Sequence, residues 1–231
     1  MTSPPAPGGR PLWVSIEGIN GVGKTSAARA VATMLGARCV LLDELTDSGG
    51  SVLHGHVIAA LTEHGDPFLR TGHPVVETLA LFALQVGKAE RLAGHDLTGV
   101  EVIIEDRGVD SVAVYQAAIL CSQHPQTPPQ SVARHVLSGV RRWRPLPHAT
   151  ILLTGDPVQC ARRFADRIGR PLTPADRQLL DQVDALYRMM AADDPVRYVL
   201  LDVAGMSLEE TAGAVSEIVA TLTDRQAARA W

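Results

Sequence analysis

The chain contains no run of 18 apolar residues, so no segment is expected to cross a membrane as a helix. Cysteine is scarce: Cys39, Cys121 and Cys160 are odd in number and far apart. That spacing excludes a disulfide framework and a metal-ligand pattern, and a reducing, cytoplasmic setting is expected. There is no excess of basic charge either. The formal net charge is −4, so no global field draws the protein to nucleic acid or anionic lipid, and neither is expected as a partner. No internal repeat is present, and the first residues lack the charged-then-apolar order of a signal peptide. Residues 1–10, MTSPPAPGGR, are rich in proline and glycine and are expected to form a disordered lead-in. A single domain is expected over residues 11–231.

What is present suits that single domain. A chain of 231 residues with 46% hydrophobic and 20% charged residues can bury a sizeable core. Five short runs rich in Val, Ile and Leu punctuate it: Leu12–Glu17, Arg38–Leu42, Val100–Glu105, Ala149–Leu153 and Arg197–Leu201. They show little alternation, as strands buried on both faces do, and Cys39 falls in one as a small apolar residue. Longer stretches with helical spacing separate them. The expected fold is therefore α/β, a five-stranded parallel sheet with helices on both faces.

Helix-start chemistry agrees. Asp156-Pro157 and Thr173-Pro174 each offer an N-cap followed by proline, and Ser207 with Glu210 reads as a capping box. Gly169, Arg170 and Pro171 form a short basic loop between the two proline-started helices. Ser122–Gln130 holds three prolines and is expected to be a surface connection.

The stretch Gly18-Ile-Asn-Gly-Val-Gly-Lys-Thr25 fits the phosphate-binding loop of P-loop proteins. Gly18, Gly21 and Gly23 let backbone N–H groups approach phosphate oxygens, and Asn20, Val22 and Ser26 supply further loop amides. Lys24 brings a mobile positive charge to the β- and γ-phosphates, and Thr25 a hydroxyl for Mg²⁺. The helix that follows turns its positive end to the anion. Its four fixed positions recur by chance in roughly one chain in a hundred of this length, given glycine's ordinary frequency. Here a strand precedes the loop and a helix, Ser26–Leu35, follows it. ATP with Mg²⁺ is the expected ligand. Val102–Arg107 is an apolar strand that ends in Asp106, an acid placed to hold the metal, with Arg107 at the ligand-binding edge of the sheet.

These residues together resemble the thymidylate kinase family over residues ~12 to ~222, nearly the whole chain. Glu17–Thr25 is similar to that family's first motif. Asp106-Arg107, then Ser111 and Tyr115-Gln116, resembles its second. Pro147–Leu153 with Asp156-Pro157 looks like its fourth strand and the helix leading to a lid, and Leu200–Asp202 before Ser207 its final strand and helix. The resemblance implies transfer of the γ-phosphoryl group of ATP to the phosphate of a nucleoside monophosphate. Arg107 would hold the acceptor phosphate, and Arg163, Arg167 and Arg170 would close over the phosphates from a short basic lid at about 162–172. Glu17, Asn20, Asp43, Phe82, Ser111, Tyr115 and Gln116 would contact the acceptor. A homodimer is implied too, with Leu79–Leu84 or the Val109–Leu120 helix as its surface.

Three departures fall on the acceptor side. Asn20 stands where the family usually has aspartate. Leu42-Asp43-Glu44-Leu45 replaces a Thr-Arg-Glu-Pro pattern, so a cation has become Asp43. Phe82-Ala83-Leu84-Gln85-Val86 replaces Phe-Ala-Ala-Asp-Arg, keeping the stacking aromatic as Phe82 but losing the arginine that contacts the base, with Lys88 half a turn on. The expected acceptor is therefore dTMP or a related, modified deoxynucleotide. Two other readings stay open. A kinase for an unphosphorylated nucleoside or small alcohol would need a general base, for which Glu17, Asp43 and Glu44 are candidates. A nucleotide-dependent switch or binding module is the third, against which the intact Lys24, Thr25, Asp106 and Arg107 weigh.

Overall fold

The computed structural model describes residues 10–46, 52–124 and 126–229. Nearly all of the proline-rich lead-in, residues 1–9, lies outside them. Five strands, β1 (Leu12–Glu17), β2 (Cys39–Leu42), β3 (Val102–Asp106), β4 (Ala149–Thr154) and β5 (Tyr198–Asp202), form one parallel sheet in the order β2-β3-β1-β4-β5. The apolar runs lie within a residue or two of these bounds. β1, β3 and β4 are buried along their whole length, which accounts for their unbroken hydrophobicity. β2 and β5 are the sheet's edges and only half-buried, so Cys39 sits at an edge rather than in the interior.

Among the described residues, eight α-helices accompany the strands: α1 (Lys24–Leu35), α2 (Val52–Thr62), α3 (Pro74–Ala93), α4 (Val109–Gln123), α5 (Pro129–Val140), α6 (Pro157–Ile168), α7 (Pro174–Asp193) and, after β5, α8 (Leu208–Arg229). α1 packs against β1–β3 and α8, while α4 is wrapped by α3, α5 and α7. This leaves α4 buried nearly all round, so the Val109–Leu120 helix is core and offers no dimer surface. The expected caps are in place. Asp156 accepts from Gln159 N at 2.8 Å, Thr173 and Asp176 close a capping box, and Ser207 and Glu210 close another. Asp156 and Thr173 are each followed by proline at the first helical position, where its missing N–H is least needed. Gly169 ends α6 at φ 69°, the left-handed turn that glycine permits.

The strand order reverses at β1, whose neighbours β3 and β4 connect outward in opposite directions. Ligands of open α/β sheets bind in the crevice at such a point, beyond the strand C-termini. The Gly18–Thr25 loop leaves β1 there.

Candidate active site

The loop's geometry follows from its glycines. Gly18 has φ 140° and an added Cβ would lie 2.4 Å from the Leu153 carbonyl oxygen. Gly21 has φ 84°, and its Cβ would come within 2.0 Å of the Cys160 carbonyl. No side chain can occupy either position without moving β4 or α6. Gly23 caps α1 without a side-chain hydrogen bond, so the first amides of the helix stay open to an anion.

A cavity of about 360 Å³ opens over this helix start. Gly21, Val22, Gly23, Lys24, Thr25 and Ser26 form its floor, and Arg107, Arg163 and Arg167 reach it from other elements. Gly18 and Asn20 do not line it. Gly18 is pressed against β4, and the Asn20 amide donates to the Tyr115 hydroxyl at 3.0 Å. Lys24 is buried, with Nζ donating to the Ile19 carbonyl at 2.7 Å. Burial, then the neighbouring Arg107, pulls its pKa well below that of a free amine. Val203, Met206, Leu208 and Thr211, after β5, complete the wall.

A second cavity, about 670 Å³, adjoins the first. Asn20, Arg107, Ser111, Tyr115 and Gln116 line it together. Arg107 donates through Nη2 to Asn20 Oδ1 at 2.6 Å, and its Nε lies 2.9 Å from Glu44 Oε1. Burial opposes the guanidinium's charge, but Glu44, Tyr115, Asp106 and Tyr187 together outweigh it, so the pKa is raised. Thr25, Ser26, Arg107 and Arg167 belong to both cavities, and there the two spaces meet.

Four sequence expectations need correction. Among the described residues, Glu44 rather than Asp43 lines the second cavity, because successive side chains of an extended stretch point opposite ways. Glu17 lies beneath the cavity rather than on its wall. It is wholly buried and accepts from Gly108 N, the Ser111 hydroxyl and the Tyr187 hydroxyl at 2.7, 2.6 and 2.9 Å. Burial, then the charge of Asp110, pushes its pKa up to about 7. Phe82 lies in an outer groove between α3 and α5, beside Gly139. The α3 residues that face the cavity are Leu81 and Gln85. One residue along a helix is about 100° of rotation, which is enough to move a side chain from one cavity to another. Arg170 turns to Asp176 at 3.0 Å and to the Pro171 carbonyl, and lines neither cavity.

Sequence reasoning missed Phe68. It lines the second cavity between Tyr115 and Phe164, with ring centroids 6.4 and 5.3 Å away. Its loop is tied by Asp66, whose Oδ1 accepts from Phe68 N and Arg70 N, while Arg70 also bridges to Asp176 at 2.7 Å. Lys88, noted in the sequence without a role, takes one from its packing. It is buried behind the cavity beside Glu105 at 3.3 Å, and Glu105 also takes both arms of Arg144. The signal was the acid doublet Glu105-Asp106 ending an apolar strand, of which only the second member was used.

A magnesium ion fits the junction. Asp106 is buried with Oδ1 lacking any partner, and the Thr25 side chain hydrogen-bonds the same carboxylate. Burial raises the Asp106 pKa, and a cation at this orphaned oxygen would relieve that cost. Two protein ligands beside a phosphate cradle suit Mg²⁺, which keeps waters and phosphate oxygens in its shell.

A parallel sheet with a glycine loop at its switch point, a metal-competent acid and two adjoining cavities define a P-loop phosphotransferase. The chain belongs to the thymidylate kinase family, whose sequence profile matches residues 16–212. Named relatives include a thymidylate kinase of Bifidobacterium longum subsp. infantis, 28% identical and covering 91% of this chain and 87% of that one. A probable thymidylate kinase of Methanoculleus marisnigri is 28% identical, with 83% and 86% covered. Among solved structures, the thymidylate kinase of Candida albicans superposes with a TM-score of 0.65 at 18% identity, covering 94% of this chain and 93% of that one.

Proposed function

We propose that the protein transfers the γ-phosphoryl group of ATP to the phosphate of a nucleoside monophosphate, dTMP or a related or modified deoxynucleotide, giving the diphosphate. The observation that carries this reading is the junction of two cavities at Thr25, Ser26, Arg107 and Arg167. There a donor phosphate on the loop can face an acceptor phosphate in the second space.

In this reading the 360 Å³ cavity takes ATP. Lys24 and the amides of Gly21 to Ser26 hold its phosphates, and Arg163 and Arg167 approach from the lid. Bound Mg²⁺, held by Thr25 and Asp106, would neutralise charge on the β- and γ-phosphates. Arg107 orients the acceptor phosphate from the second cavity. Tyr115, Ser111, Phe68 and Gln116 surround its sugar and base. Positioning and charge neutralisation are what the protein contributes, since an acceptor phosphate needs no base to activate it. The lid is α6 with its basic turn, and Arg170 serves it as a brace on Asp176 rather than as a phosphate contact.

Two finer points belong to the same proposal. The exposed apolar side chains of Val75, Val76, Leu79 and Trp143 along α3 and beyond α5 supply a face for a homodimer, and a monomer in sedimentation would remove it. The three free cysteines suit a reducing cytoplasm.

The experiment is ATP-dependent phosphorylation across nucleoside monophosphates and free nucleosides, with a no-acceptor control. Turnover of dTMP or another monophosphate supports the proposal. Turnover only of free nucleosides or alcohols would replace it, and Glu44 in the acceptor cavity favours that second reading. ATP hydrolysis without any acceptor would favour a switch.

A further inference from the structure

Among the described residues, the non-glycine residues with φ in the left-handed region are Leu69 (60°) and Arg107 (54°). Both line the acceptor cavity. Such a conformation costs free energy and persists only where the surroundings hold it, so it points to a functional constraint. For Leu69 the Asp66–Arg70 turn does the holding. For Arg107 the backbone accounts for itself group by group. Its N–H donates to the Ile16 carbonyl at 3.3 Å, and the next N–H, of Gly108, donates to Glu17 Oε1 at 2.7 Å. The carbonyls of Asp106 and Arg107 both lie 3.4 Å from Lys88 Nζ, and Gln85 Nε2 reaches the Arg107 carbonyl at the same distance.

Lys88 is itself fixed from behind. Glu105 Oε1 lies 3.3 Å from its Nζ. Glu105 also takes the two nitrogens of Arg144 at 3.1 and 3.0 Å and the Trp13 indole N–H at 3.0 Å. Arg144 closes the ring by donating to Gln85 Oε1 at 2.8 Å. Every member is buried. Arg144 alone would satisfy the Glu105 carboxylate, so Lys88 is a second buried cation on one buried acid. A surplus buried charge is a poor device for stability. What it does have is a pair of strained-turn carbonyls to hold.

We propose that Lys88 is a positioning residue for the acceptor phosphate. It pins the Asp106 and Arg107 carbonyls, and so fixes the left-handed turn that aims the Arg107 guanidinium at Asn20, Glu44 and the cavity junction. This rests on the reading of Arg107 as the acceptor-phosphate contact.

The test is steady-state kinetics of the full-length Lys88→Met protein, with dTMP or the monophosphate turned over fastest in the panel above. The KM for the acceptor rises about tenfold, the loss expected when a contact involving a charged group goes, while the KM for ATP stays within twofold. In an Arg107→Ala background the same substitution adds nothing further to the acceptor KM. A lowered melting temperature with both KM values unmoved overturns the proposal, as does a parallel rise of the two. If Lys88→Met does not fold, Lys88→Gln keeps an N–H donor for the carbonyls. A smaller rise confined to the acceptor supports the proposal there, and an unmoved acceptor KM overturns it. Arg107→Ala alone separates the two failures. An unchanged acceptor KM in that variant means the reading of Arg107 is wrong, whatever Lys88 does.

Discussion

Glu44 places a carboxylate oxygen 2.9 Å from Arg107 Nε, on the wall of the second cavity. The pair has two chemical meanings. With a phosphate acceptor, Glu44 orients the guanidinium until the acceptor arrives and takes no proton. With a hydroxyl acceptor, Glu44 would be the general base beside Arg107 on the cavity wall. Glu44→Gln separates them: kcat with the preferred acceptor is expected to change by less than about tenfold. A fall of roughly 10²–10⁴, the usual contribution of general base catalysis, would transfer the protein to the hydroxyl-acceptor class.

Phe68 is expected to matter to the acceptor alone. Its ring lies between Tyr115 and Phe164 on the cavity wall, held by the Asp66–Arg70 turn. Phe68→Leu keeps most of the buried volume and removes the aromatic face. The acceptor KM is expected to rise about five- to tenfold, a loss of ~1 kcal/mol or slightly more for an aromatic contact, with the ATP KM unchanged. Equal rises for both substrates would show a general loosening of the fold instead.

The buried Glu17 predicts a pH dependence of stability. Its pKa rises from 4.5 to about 7 on folding. Between these values the unfolded chain has released a proton that the native state keeps, so stability falls as pH rises from 4.5 to about 7. The whole shift corresponds to roughly 3 kcal/mol. Glu17→Gln mimics the protonated side chain, so the variant gains stability relative to the parent as pH goes from about 5 to about 8. Denaturant unfolding of both proteins at the two pH values measures this. A difference between them that does not change with pH would show that Glu17 is ionised in the native state throughout.

The parts of this site that were legible in the sequence are local. The Gly18–Thr25 loop, the caps at Asp156, Thr173 and Ser207, and the apolar strands each depend on residues within a few positions of one another. Errors arose where side-chain direction or distant packing decides. Asp43 and Glu44 differ by one position in an extended stretch, and Phe82 and Leu81 by one on a helix. Each single step exchanges one surface for another. Lys88 was noticed but given no role, because nothing in the sequence reveals that Glu105, 17 residues on, draws it inward. Phe68 sits in a loop with no periodicity to mark it, and only the fold brings it to Tyr115.

The contact between Gly21 and the Cys160 carbonyl has a mechanical consequence. It sets the beginning of α6 directly against the phosphate loop, and Phe164, buried beside Phe68, seats the middle of the same helix. Arg163 lies three residues beyond Cys160 and Arg167 seven, about 5 and 10 Å of helix rise. Any tilt of α6 about Cys160 would displace Arg167 roughly twice as far as Arg163. In the proposed function the two arginines would be the short and long arms of one lever, with Arg167 lining both cavities.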